Sequence, residues 1–196
     1  MIRAALLWLV LAFPLCAQQF PALYDVVGVR ADDVLNVRQG PAADRPILGT
    51  LGPDATDVEV VGTSPDGRWA LVNIGERAGW ASLTFLRRQD GIGWTGFRNC
   101  FGTEPFWRLE TDGESARLSV PEETLLDGLF THNGRTSENL IDRRVDVAVD
   151  ESGQMTAFIR REACGDGMSD RQYGLSITLH YIGTDSRVLS GCCSLR

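Results

Sequence analysis

Between Tyr24 and Leu86 the apolar residues come in short runs, at 26–29, 34–37, 47–51, 58–61, 69–74 and 79–81. Each run has the length of a β-strand and is too short for a helix. The intervening stretches Ala31-Asp32-Asp33, Gln39-Gly40-Pro41, Gly52-Pro53-Asp54, Ser64-Pro65-Asp66-Gly67 and Gly75-Glu76-Arg77 are turn formers, through glycine and proline dihedrals or side-chain capping. Short strands this closely spaced predict a small antiparallel barrel, because such a sheet must close or cover its edges. In 58–60 and 69–73 every second side chain can reach one common core.

The second half predicts strands again, at 106–110, 116–120, 145–149, 156–160, 175–181 and 187–191. Alternation is cleanest in the fifth: Leu175, Ile177, Leu179 and Tyr181 fall on one face, and Ser176, Thr178 and His180 on the other. Asp112-Gly113, Asn133-Gly134, Glu151-Ser152-Gly153 and Gly183-Thr184-Asp185 supply turns. Residues 122–126 and 137–140 are the only candidates for short helices. Gly91-Ile92-Gly93, after the polar run Arg87-Arg88-Gln89-Asp90, reads as a hinge between a domain at 22–90 and another at 97–196. The fold class is therefore mainly β, a small barrel followed by an antiparallel β-barrel or sandwich.

Ahead of both domains, Met1-Ile2-Arg3 and the apolar stretch 4–15 form a signal peptide of residues 1–17, cut after Ala17. The stretch falls short of the roughly 20 residues that a membrane span needs. Lipid attachment at Cys16 is disfavoured, because Pro14 and Leu15 stand where that chemistry wants a small residue. The mature chain keeps Cys100, Cys164, Cys192 and Cys193, and an even count in an oxidising periplasm reads as two disulfides. Neighbouring side chains on a strand face opposite ways. Cys192 and Cys193 can therefore serve two partners, one bridging Cys100 and the other Cys164. The rival arrangement is a vicinal Cys192–Cys193 bond with Cys100–Cys164.

Charge narrows the partners. Arginine is the only strong cation, with no lysine in the chain, and loss of Arg3 moves the formal charge from −7 to −8. Both halves are acidic, which excludes the basic face that nucleic-acid binding requires.

The runs Leu35-Asn36-Val37-Arg38-Gln39-Gly40-Pro41, Ile47-Leu48-Gly49, Gly67-Arg68-Trp69 with Val72, and Gly79-Trp80-Ala81 with Phe85-Leu86 resemble the bacterial SH3 domain over residues 24–86. The resemblance implies an SH3-like barrel of a kind attached to exported proteins that meet peptidoglycan or cell-surface peptides. Trp69 and Trp80 are the candidate ligand platforms, although a core position is the preferred reading of each. In the second half, Cys100-Phe101-Gly102-Thr103-Glu104-Pro105-Phe106-Trp107, the segment from Cys164 to Asp170 with Tyr173, and Leu189-Ser190-Gly191-Cys192-Cys193 resemble a little-characterised family of exported bacterial proteins, some of them lipoproteins. That likeness implies a compartment and a fold but no mechanism.

The sharpest constellation comprises Glu104, Trp107, Asp166, Asp170 and Tyr173, with Cys164, Met168 and Ser169 beside them. Asp166 and Asp170 in a glycine-rich loop suggest a divalent ion, which wants several oxygens. A capped turn uses the same residues for local hydrogen bonds and is the preferred reading, so no metal or cofactor is expected. Enzyme activity is not expected either. The cysteines are assigned to bridges, His132 reads as part of a turn, His180 lies on a polar face, and no G-x-S-x-G motif is present. The expectation is an exported envelope protein that binds peptidoglycan or another envelope peptide. A structural or stress-related periplasmic protein, and an envelope hydrolase or hydrolase inhibitor, are the alternatives.

Overall fold

The computed structural model describes residues 20–91, 93–135 and 143–196. The expected signal peptide at 1–17 and the candidate helix at 137–140 lie outside these residues. The first domain is an antiparallel sheet of β1 (Ala22–Val26), β2 (Leu35–Arg38), β3 (Ile47–Leu51), β4 (Val58–Thr63), β5 (Trp69–Ile74), β6 (Arg77–Ser82) and β7 (Leu86–Arg88). Its spatial order is β3-β2-β6-β5-β4-β1-β7. Alternation does what it promised: Leu35 and Val37, Val58 and Val60, and Ala70 and Val72 point into one core with Tyr24 and Val26.

β1 lies further toward the N-terminus than the expected strand at 26–29. The chain leaves the sheet after Val26, and Gly28 takes a left-handed φ of 71° that only glycine adopts without strain. Ala22, Leu23 and Tyr24 are all buried, so the strand shows no alternation. Tyr24 serves the first core while Leu23 joins the second.

That second core belongs to a closed barrel of β8 (Asn99–Thr103), β9 (Phe106–Thr111), β10 (Ser115–Val120), β11 (Glu123–Arg135), β12 (Arg143–Val149), β13 (Gln154–Cys164), β14 (Tyr173–Ile182) and β15 (Ser186–Ser194). The ring runs β10-β11-β12-β13-β14-β15-β8-β9, and closure leaves no edge strand exposed. Leu175, Ile177, Leu179 and Tyr181 of β14 point inward, onto Leu109, Leu118, Met155 and Ile159. Two expectations are corrected. Of residues 122–126, Glu122 is a turn residue and 123–126 open β11, where Leu126 pairs with Leu118 and Thr124 with Ser119 across the ladder. His132-Asn133-Gly134 is not a turn but part of β11, paired with Asp146 and its neighbours on β12.

The hinge expected at 91–93 is followed directly by an anchor. Trp94 opens a 3-10 turn over Trp94–Gly96, and with Phe97 it is 2% exposed within the barrel core. A buried ion pair fastens the same segment: Arg144 meets Asp146 at 2.6 Å, donates to the Thr95 carbonyl at 2.7 Å and lies over the Phe97 ring. Burial pushes the Asp146 carboxyl up while Arg144 pulls it down.

Both bridges follow the pairing argued from chain position: Cys100–Cys193 and Cys164–Cys192. Cys193 lies directly opposite Cys100 across the β15–β8 ladder. Cys192 turns the other way and ties down the segment that leaves β13.

The domains meet along two lines. On the outer face of the first sheet, Leu23 and Glu59 are cross-strand partners. Glu59 accepts from Ser194 Oγ at 2.5 Å and from the Leu195 amide at 3.2 Å. The β5–β6 hairpin clasps residues 170–172: the Asp170 amide donates to the Glu76 carbonyl and the Ala78 amide to that of Asp170. The Asn73 side chain bonds both backbone groups of Gln172.

Candidate functional site

A groove of about 500 Å³ lies in the first domain between the loop that follows β1, strand β2, Trp69 and the turn ending at Phe85. Its apolar walls are Val29, Val34, Trp69 and Phe85, and its polar groups are Arg30, Asp33, Asn36 and Arg38. Val34 is 42% and Phe85 37% exposed, so the groove presents hydrophobic surface to solvent.

Local chemistry holds these walls in place. Ser64 Oγ donates to Asp66 at 2.5 Å and accepts from the Trp69 amide at 3.1 Å, while Arg68 donates to Asp66 through its amide and its Nε. These donors hold the Asp66 carboxyl at about 2, so it is ionised at neutral pH and keeps the entry to β5 rigid. The Val27 amide donates to the Phe85 carbonyl at 2.9 Å, which ties the loop to the opposite wall. Arg30 grips Asp32 with Nε and Nη2, and Arg38 donates to the Arg45 carbonyl at 2.8 Å. An aromatic wall with a fixed polar rim suits an extended peptide, whose backbone needs hydrogen-bonding partners and whose side chains need apolar contact.

Neither candidate tryptophan belongs to the first core. Trp69 and Trp80 are both partly exposed on the outer face, where Trp69 pairs with Ser82 and Trp80 with Leu71. They are diagonal neighbours, and Trp69 is the one that lines the groove. Val29, Val34, Arg38 and Phe85 were not singled out as groove residues from the sequence. The loop residues carry no pattern that marks them as a wall until the fold sets them opposite Trp69.

In the second domain, Glu104 and Asp166 border one shallow cleft with Glu162 and Cys164. Trp107 faces elsewhere. It is 4% exposed and donates from its indole to the Ser190 carbonyl at 3.2 Å, across Gly102. A Cβ at Gly102 would lie 2.1 Å from that indole nitrogen, so glycine is what admits the ring. Asp166 is a turn cap: it accepts from the Met168 and Ser169 amides and from Ser169 Oγ, which lower its pKa against the opposing effect of burial. Three of its acceptor sites are thus engaged by the loop itself, the arrangement of a capped turn. Asp170 contributes its backbone to the contact with the β5–β6 hairpin. Tyr173 is buried edge-on against Phe101, with ring centroids 5.1 Å apart, and burial raises its phenol pKa.

A small antiparallel sheet with an aromatic groove between a long loop and a 3-10 turn defines an SH3-like module. Residues 33–87 match the bacterial SH3 domain family. Neither the curated proteins nor the solved structures give a match to the chain. Among the described residues no helix is long and apolar enough to cross a membrane.

Proposed function

We propose that this is an exported envelope-binding protein whose SH3-like domain holds an extended peptide, of peptidoglycan or of another envelope component, in the groove lined by Trp69 and Phe85. The observation that carries the reading is the groove itself: exposed aromatic and aliphatic walls, a polar rim, and a Ser64-Asp66-Arg68 turn that fixes Trp69 in place. Bacterial SH3 domains of this type commonly meet cell-wall peptides, and the two disulfides fit an oxidising compartment. The signal peptide at 1–17 and the likeness of residues 97–196 to exported proteins belong to the same reading. The work is binding rather than catalysis.

Co-sedimentation with purified sacculi tests the reading. The protein should pellet with sacculi, and Trp69→Ala should release it while its unfolding curve stays close to that of the parent. Retention of the variant, or no sedimentation of either protein, would place the ligand elsewhere. Loss of sacculus mass in the same assay would favour the hydrolase alternative.

A further inference from the structure

The junction of the two domains holds a half-open cavity of about 280 Å³ that shares no residue with the peptide groove. Glu59 lines it from β4, Asn99 and Arg108 from β8 and β9, and Arg171, Tyr173 and Arg196 from the segments around β14 and β15. In a chain of net charge −7, three of its arginines converge here. Arg171 commits its Nε to the Gly75 carbonyl at 2.8 Å. The carboxylate near Arg108 is Glu110 at 3.6 Å on an exposed face, a contact of the weak surface kind.

Glu59 lines the same cavity and is 6% exposed. Both of its donors, Ser194 and Leu195, fall on Oε2, and Oε1 has no hydrogen-bond partner. Buried polar atoms in native proteins are almost always paired, so an orphaned carboxylate oxygen on a side chain that lines the cavity points to a group that belongs beside it. The Phe101 and Tyr173 rings add an apolar surface to the same cavity.

The two signs of charge decide the ligand class. A simple anion would satisfy the arginines, leave Oε1 unpaired and add a second negative charge beside Glu59. A simple cation would satisfy Glu59 and face three guanidinium groups. We propose that the cavity is a second binding site, for a zwitterion of amino-acid or dipeptide size, its carboxylate held by Arg108, Arg171 and Arg196 and its ammonium by Glu59. The volume lies near the lower end of the roughly 300–1,000 Å³ usual for ligand pockets, which suits so small a molecule. Guanidinium forks match a carboxylate in a way that single-point cations do not.

Titration calorimetry of the full protein with alanylalanine tests the site. Saturable binding in the millimolar range or tighter is expected. N-acetyl-alanylalanine, which lacks the ammonium, and alanylalanine amide, which lacks the carboxylate, should each bind about tenfold more weakly or worse. Arg108→Gln, on an exposed position of β9, should weaken alanylalanine by a similar factor without moving the unfolding midpoint. Glu59→Gln should erase the difference between alanylalanine and its N-acetyl derivative. Trp69→Ala should leave alanylalanine binding unchanged, which separates this site from the peptide groove. Absence of saturable binding overturns the proposal. So does equal binding of the blocked derivatives, or indifference to Arg108→Gln.

Discussion

The SH3-like sheet is built around small side chains, with Val37, Val60, Ala70, Val72 and Ala81 among its buried residues and no cysteine. The barrel has Trp94, Phe97, Trp107 and Met155 in its core and carries both disulfides. The barrel's hydrogen-bonded ring is complete, whereas the order of the first sheet begins at β3 and ends at β7. What the contrast teaches is dependence. The smaller unit places Leu23 in the core of the larger one and Glu59 against its last strand, so part of its own surface exists to be covered by its neighbour.

Removal of a bridge should have the largest effect, and it should fall on one side of the comparison. Cys100 and Cys193 are 93 residues apart, and the chain-entropy relation makes that bridge worth about 4–5 kcal/mol. Cys164 and Cys192 are separated by 28 residues, worth about 3–4 kcal/mol on the same relation. Urea unfolding of each double Cys→Ser variant, read at Trp94 and Trp107 fluorescence after replacing the other tryptophans, should show losses in that order. Equal losses would mean that the loop lengths do not govern the barrel's stability.

Next in size is Leu23→Ala. A buried leucine truncated to alanine costs about 2–5 kcal/mol, and here the loss should appear in the barrel although the residue sits in the first sheet. Calorimetry should resolve the single transition of the parent into two. A loss confined to the first domain would show that Leu23 serves its own sheet alone.

A third effect depends on pH. Burial pushes the Glu59 carboxyl above its ordinary value, against the opposing pull of Ser194, Leu195 and Arg196. A folded-state value that is raised means the parent loses stability as pH climbs from the ordinary carboxylate range through the raised value. Glu59→Gln does not titrate, so its stability relative to the parent should rise as pH climbs above the ordinary carboxylate range. A difference that shrinks over the same climb would reverse the sign of the burial argument. The smallest effect should come from Trp69→Ala, about 1 kcal/mol or less, because the ring lies on the surface rather than in the core. A loss of about 3 kcal/mol or more would return Trp69 to a core role.

Much of the architecture was legible where one face of a strand meets a core and the other meets water. Residues 175–181 and 69–74 are such strands, and their alternation survives intact in β14 and β5. The reading was incomplete wherever that condition lapsed. β1 is covered by both domains, so Ala22-Leu23-Tyr24 has no polar face to reveal its period. β8 contains Gly102, which makes room for Trp107 and weakens the strand signal. The opening of β11, at Glu123-Thr124-Leu125-Leu126, contains a register shift in the ladder at Leu125 and puts two buried leucines side by side, a pattern open to a helical reading. Of the candidate sites, Trp69 was visible from the sequence as a possible platform. The interdomain cavity was not, because Glu59, Arg108 and Arg171 come from distant parts of the chain and only the docking of the two sheets brings them to one wall.

The placement of both bridge partners on β15 has a consequence for the order of events during synthesis. As the chain emerges from its N-terminus, Cys100 precedes its partner by 93 residues and Cys164 precedes its own by 28. Among the four bridged cysteines, the one bond these earlier thiols can form with each other is Cys100–Cys164, which the finished barrel does not contain. In an oxidising compartment the protein must either keep that pair apart until its last strand arrives or break a premature link by thiol exchange. Its yield should therefore track the supply of a disulfide isomerase more closely than the supply of an oxidant.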